Sequence, residues 1–241
     1  MQSMFRSIET NDQLHKEIFE KNSLLNKFIY SCSHDLKGPL SSIKGLVHLA
    51  ERSPHDKVGE CLNQITESVN RMNHCLTSLE ALMSNSWEPV TQAEVDFMGM
   101  INELVEEQMD EVKSKKIKLS VRVLSEKMVI SDSARLRLII EHLLQNAITF
   151  QKNSRATKLI DISVKVLNDH VDIEICDNGE GIHKDRIADI FKIFYRGSET
   201  SKGSGLGLYI VKETVEKLNG LIAVASSKGV GSNFAVKIPI P

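Results

Sequence analysis

The sequence predicts an α-helical hairpin followed by a two-layer α/β sandwich. Two observations carry this. An apolar heptad stripe runs through the first third of the chain, and beyond about residue 94 short alternating stretches are interleaved with helical ones.

In the hairpin, Val58, Leu62, Ile65, Val69, Met72, Leu76, Leu79 and Met83 recur at alternating steps of four and three, the pattern of left-handed helix packing. Leu25, Phe28, Cys32, Leu36, Leu40, Ile43, Val47 and Ala50 form a similar stripe, and Ser53-Pro54 separates the two. Two helices alone bury such stripes poorly, so a second copy completing a four-helix bundle is expected. Packing of both helices on the C-terminal half is the alternative. Asn85-Ser86-Trp87-Glu88-Pro89 reads as the link to that half.

Within the first stripe stands Ser33-His34-Asp35-Leu36-Lys37-Gly38-Pro39-Leu40. Pro39 in a helix lacks an amide hydrogen and crowds the carbonyl of Asp35, so strain lies beside an imidazole. His34 is two residues from both Cys32 and Leu36, which at about 100° per residue turns it to the outer, exposed face.

In the second half, residues 100–112 read as one amphipathic helix and 117–123 as a half-buried strand. A helix follows over 133–150 with Asp132 as N-cap. Ile160–Val166 and Val171–Ile175 alternate around Asn168-Asp169 as a hairpin. A third helix begins near Gly205 and stops at Asn219-Gly220, before strands over 221–226 and 232–238.

Composition narrows the function. The chain has 241 residues, 41% apolar and 26% charged, with a formal net charge of -2. No basic run supports nucleic-acid binding, and no apolar stretch approaches the roughly 20 residues that span a bilayer. The first residues lack a secretory core. Cys32, Cys61, Cys75 and Cys176 are scattered without a CxxC pair, which reads as reduced thiols in the cytoplasm.

Each candidate site in the second half has two readings. His142, Asn146, Thr149 and Phe150 share a helix face. Taken alone, Asn146 reads as a satisfied core amide, with a ligand contact as the other possibility. Asp177-Asn178-Gly179-Glu180-Gly181-Ile182 is a turn after a strand, or a backbone approaching a flat ligand with a carboxylate beside it. Gly203-Ser204-Gly205-Leu206-Gly207-Leu208 opens a helix, where amides face phosphate in some proteins. The aromatic run Phe191–Tyr195, Arg196 and the polar stretch 197–202 read as hinge and lid, or as a surface loop.

The order of these segments resembles a bacterial sensor histidine kinase of two-component signalling, over about residues 14–241. SHDLKGPL resembles the phosphoacceptor box, LLQNAITF the asparagine box and DNGEGI the first glycine box. FKIFYRG resembles the phenylalanine box and GSGLGLYIVK the second glycine box. The resemblance implies a Bergerat-type ATP-binding domain over 95–241, joined by a linker at 87–94 to a dimerisation and phosphotransfer hairpin at 25–86. Residues 1–24 would be the tail of a signalling helix. It further implies ATP and Mg²⁺, a homodimer, a response-regulator receiver domain as partner, and a cytoplasmic location, on this chain alone or on the cytosolic part of a membrane-bound receptor.

Residue by residue, the resemblance makes His34 the phosphoacceptor and Asp35 its proton acceptor. Asn146 becomes the Mg²⁺ ligand and Asp177 the carboxylate for the adenine amino group. Phe150, Gly179 and Gly181 border the base. Gly203, Gly205, Leu206 and Gly207 form the phosphate side, and Arg196 stabilises phosphate charge.

Three positions depart from the family pattern. His142 stands where asparagine is common and Thr149 where lysine is common, with Lys152 or Arg155 as replacement cations. Gly38 stands where threonine or asparagine serves phosphatase activity, so weak phosphatase activity is expected. The first two departures define a second reading, a catalytically weak pseudokinase acting as a dimeric scaffold.

Overall fold

The computed structural model describes residues 33, 36–52, 55–125, 127–152, 154–197 and 205–240, which fall into two units divided between Thr77 and Ser78. The first unit is a helical hairpin. Residues 36–52 form α1, continuous through Pro39, and α2 spans His55–Trp87, its last turns belonging to the second unit. Ser53-Pro54 lies outside the described residues.

Among the described residues, each helix of the hairpin is covered along one flank and open along another. On α2 the small residues Cys61, Ser68 and Cys75 are buried. The seven-residue row beside them stands open: Leu62 is 55% exposed, Val69 41%, Leu76 44% and Met83 48%. On α1, Leu36, Pro39, Ile43, Leu46 and Ala50 are half-buried, while Leu40, Val47 and Leu49 are exposed. Such an apolar row marks a further packing surface.

The second unit is a five-stranded sheet with helices on one face. β2 (Ile117–Leu124), β4 (Lys158–Val166), β5 (His170–Asp177), β6 (Leu221–Ser227) and β7 (Gly231–Pro239) lie in the order β2-β4-β5-β7-β6. β2 and β4 are parallel and the other pairings antiparallel. Period-two alternation sends Ile160, Ile162, Val164, Ile173, Ile175, Phe234 and Val236 to one face. They meet Ile139, Ile140, Leu143, Leu144 and Ile148 of α5 (Ser133–Thr149) and Ile210, Val211 and Val215 of α6 (Gly207–Lys217). The opposite face is polar, carrying Asp161, Ser163, Glu174 and Cys176, which suits a two-layer fold.

The structure differs from the sequence reading in three places. Residues 100–112 are not one helix: α3 (Phe97–Glu107) and α4 (Met109–Ser114) meet at Gln108, whose ψ of 3° leaves the helical region. The Asp96 carboxylate caps the Gly99 amide at 2.9 Å and starts the helix earlier than the apolar periodicity implies. A second sheet pairs β1 (Ala93–Val95) with β3 (Val129–Ser131), too short to leave an alternating signal. Finally, Asn85–Trp87 are helical, being the last residues of α2.

Those last residues are held firmly. The buried Arg135 guanidinium donates to Asn85 Oδ1 at 3.0 Å, Glu88 O at 2.7 Å and Pro89 O at 3.2 Å, and pairs with Asp132. Asp132 also accepts the amides of Thr91 at 2.9 Å and Arg135 at 3.0 Å, the latter being the predicted N-cap of α5. Burial alone raises the Asp132 carboxyl, but the Thr91 and Arg135 amides and the Arg135 guanidinium outweigh it and hold it below its ordinary value. Among the described residues no helix is long and apolar enough to cross a membrane.

Candidate functional site

The C-terminal half of α5 carries the first part of the site. Leu143, Leu144, Ala147 and Ile148 are buried in the core, which turns His142 and Asn146 to the helix edge as half-buried residues. Asn146 Nδ2 is buried without a hydrogen-bond partner among the described groups. Buried amides normally find a partner, which makes this open donor a candidate for a ligand contact. Thr149 is exposed, and Phe150, the C-cap, is 42% exposed.

Beside this helix end lies the loop after β5. The Asp177 carboxylate accepts the Gly179 amide at 2.7 Å and also the Ser232 amide. Burial raises its pKa, against the lowering effect of those two bonds. Among the described residues no lysine or arginine forms an ion pair with it. The Glu180 amide donates to Phe150 O at 2.9 Å, which brings the loop against the end of α5. At Gly179 an added Cβ would overlap that same carbonyl. Gly181 has φ 63°, and a Cβ there would overlap the carbonyl of Ser227. Asn178 ties the loop to β4 by accepting the Leu159 amide at 2.8 Å and donating to Thr157 O at 2.9 Å.

The third part is the start of α6. Gly207 begins the helix, and a Cβ on it would lie 3.5 Å from His142 Nδ1, so the imidazole borders the helix N-terminus. Gly205 has φ 72° and packs on the backbone of Phe194 and Tyr195; Phe194 itself has φ 61°. This joins the two ends of the 195–205 stretch. Leu206 is fully buried, and its carbonyl accepts the Ile210 amide at 2.8 Å in the first turn of α6. Arg196 is exposed, while Arg186 reaches back to the carbonyl of Gly197. His34, Asp35 and Gly203 lie outside the described residues; Ser33, Lys37 and Gly38 around the acceptor box are exposed.

The two suggested replacement cations differ. Lys152 is exposed, whereas the Arg155 guanidinium is held by three backbone carbonyls, at Asn178, Gly229 and Val230. No cluster of three or more His, Cys, Asp or Glu able to hold a metal occurs among the described residues.

The two halves of the chain match two family models in succession. The His Kinase A (phospho-acceptor) domain matches residues 24–84, and the Histidine kinase-, DNA gyrase B-, and HSP90-like ATPase matches residues 131–241. The chain belongs to the histidine kinases. It is 29% identical over 239 residues to the sensor histidine kinase YclK of Bacillus subtilis (strain 168), covering 95% of this chain and 49% of that protein. It is 28% identical over 229 residues to the methanogenesis regulatory histidine kinase FilI of Methanothrix harundinacea (strain 6Ac), covering 93% of this chain and 26% of that protein. This chain thus spans about a quarter to a half of those relatives. Its fold is similar to that of histidine kinase ThkA, solved in complex with the response regulator protein TrrA. The TM-score is 0.71 at 20% identity, over 92% of this chain and 64% of that one.

Sequence reasoning about the kinase missed Ser226 and Ser232. Ser226 Oγ accepts the Ile182 amide at 2.8 Å, donates to Gly231 O at 2.8 Å and lies 2.9 Å from Ser232 Oγ. These hydroxyls come from the closing strands and meet the Asp177 loop only in the folded sheet. The one available signal was the inward register of both serines in alternating strands.

Proposed function

We propose that the kinase binds Mg-ATP in its α/β unit, phosphorylates His34 and transfers the phosphoryl group to an aspartate of a response-regulator receiver domain. The observation that carries this reading is Asp177: a largely buried carboxylate, raised in pKa by burial, anchored by two amides and without an ion-pair partner among the described residues. Such groups mark functional sites. A carboxylate on a loop that packs backbone-to-backbone suits a flat base bearing an amino group.

On this reading Phe150, Gly179 and Gly181 border the adenine. Gly205, Leu206 and Gly207 present the start of α6 to the phosphates, where backbone amides and the helix dipole favour negative charge. Gly203 and Arg196 belong to the same phosphate side. The magnesium ion fits the residues present. The Asn146 amide oxygen is a hard donor suited to a cation that keeps phosphate and water as other ligands, and its Nδ2, buried without a partner among the described residues, leaves a hydrogen-bond donor for an oxygen of those ligands. When bound, the ion would neutralise phosphate charge during transfer.

His34 attacks as neutral imidazole while Asp35 takes its proton. The bond formed is N–P, the bond broken joins the γ-phosphorus to its bridging oxygen, and ADP leaves. The domain limits follow the same reading: 25–86 for the phosphotransfer hairpin and 95–241 for ATP binding, joined through 87–94. A second copy covers the exposed row Leu62, Val69, Leu76 and Met83, giving a homodimeric four-helix bundle. The complex of ThkA with TrrA supports a receiver domain as partner, and ATP supply favours the cytoplasm as the site of action.

Incubation with γ-labelled ATP tests the proposal. The expected result is acid-labile label on the wild-type protein that disappears in His34→Gln and then moves to a receiver domain. Absence of label on the wild type sinks the kinase reading and leaves the scaffold.

A further inference from the structure

Arg155, read from the sequence only as a possible replacement cation, stands on the connection between α5 and β4. Its Nε donates to Asn178 O at 2.8 Å, and its Nη2 to Gly229 O at 3.0 Å and Val230 O at 2.7 Å. Asn178 follows Asp177, whereas Gly229 and Val230 form the turn between β6 and β7. These segments already touch: the Gly229 amide donates to Glu180 O at 2.6 Å, and a Cβ on Gly231 would overlap the carbonyl of Asp177. Three carbonyl dipoles therefore converge from two loops, and one fixed, planar cation satisfies them together.

Arg155 also belongs to a third edge of the same region. Its amide closes a turn onto Lys152 O at 3.1 Å, just after Phe150, whose carbonyl accepts the Glu180 amide. The turn it grips leads directly into Ser232, whose amide bonds to Asp177. Ser226 makes a second bridge between the loop and the turn, through Ile182 and Gly231.

We infer that Arg155 is a positioning residue for the nucleoside end of the substrate, locking the Asp177 loop against the β6–β7 turn. It is not the phosphate cation that Thr149 leaves lacking. The inference rests on the ATP-binding reading above.

The test compares wild type, Arg155→Ala and Arg155→Lys in the full chain, using ATP and adenosine as titrants and GTP as competitor. Losing a charged donor shared by three carbonyls is expected to weaken ATP and adenosine alike by roughly tenfold. The preference for ATP over GTP narrows, while labelling of His34 at saturating ATP stays within about twofold of wild type. Lysine, without the planar fork, restores little of the affinity. Unchanged adenosine and ATP affinities in Arg155→Ala overturn the inference, as does loss of ATP affinity with adenosine unaffected, which identifies a phosphate contact. If the alanine variant unfolds below assay temperature, the lysine variant decides by the same criteria. Failure of the wild type to bind ATP or adenosine overturns the ATP-binding reading itself, a different result from wild-type binding that Arg155→Ala leaves unchanged.

Discussion

The Arg135 guanidinium pairs with the Asp132 carboxylate three residues earlier, with the two side chains 7% and 1% exposed. A pair this deep persists because its remaining donors and acceptors are satisfied: Arg135 by Asn85, Glu88 and Pro89, Asp132 by Thr91. Replacing Arg135 with Met strands a buried carboxylate and three acceptors. The expected loss is about 3–5 kcal/mol in the α/β unit, read from its urea unfolding transition. Adding Asp132→Asn to that variant should return part of the loss, since no uncompensated charge remains.

Acid should act through the same carboxylate. The folded pKa of Asp132 lies below its unfolded value of 3.8, so its stabilisation is complete above that value. It is lost as pH falls through the depressed folded value. Urea titrations at descending pH should show this loss, and Asp132→Asn should flatten that part of the profile.

Asp177 has the opposite sign. Its raised folded pKa means that ionisation costs the folded state stability as pH rises above 3.8. Asp177→Asn is therefore expected to raise the melting temperature slightly while weakening ATP by at least about tenfold, because the charged acceptor is gone. A variant that binds ATP like the wild type contradicts the adenine assignment.

Two glycines should respond oppositely to alanine. Gly181 combines φ 63° with a Cβ that would overlap Ser227 O, so Gly181→Ala should cost about 1–3 kcal/mol or more and abolish nucleotide binding. Gly38 is helical and exposed, and a methyl group on its Cα would meet nothing within 4 Å, so Gly38→Ala should stabilise the hairpin by about 1 kcal/mol. The same room admits threonine. Wild type should leave the decay of a phosphorylated receiver nearly unchanged, and Gly38→Thr should hasten it.

Charge in the open heptad row should separate the copies. Val69→Glu with Leu76→Glu is expected to halve the mass seen by light scattering while ATP affinity stays near wild type. A wild-type protein that is already monomeric at micromolar concentration refutes the bundle.

Most of the architecture was legible because it is periodic. The long helices and the strands β2, β4, β5 and β7 repeat their patterns over enough residues to be recognised, and Asp132 announces α5 through its capping chemistry. The short pair β1 and β3 was not legible, since three residues carry little alternation and Val95 meets Val129 only across 34 positions of sequence. The break at Gln108 interrupts no apolar period. In the site, Asn146 and Asp177 stood out within glycine-rich or mixed-polarity motifs. Arg135 did not, and Arg155 stood out only as a replacement for a missing phosphate cation, because an arginine shows its carbonyl partners only once distant segments have come together.

The grip of Arg135 on Asn85, Glu88 and Pro89 also determines where the chain tolerates cutting. A fragment beginning at Val95 would remove these acceptors and the Thr91 amide from the Arg135–Asp132 pair, exposing the start of α5 and core residues behind it. An ATP-binding fragment that folds soundly must therefore keep Asn85 and with it the end of α2, just beyond residue 84 where the family match of the phosphoacceptor hairpin stops.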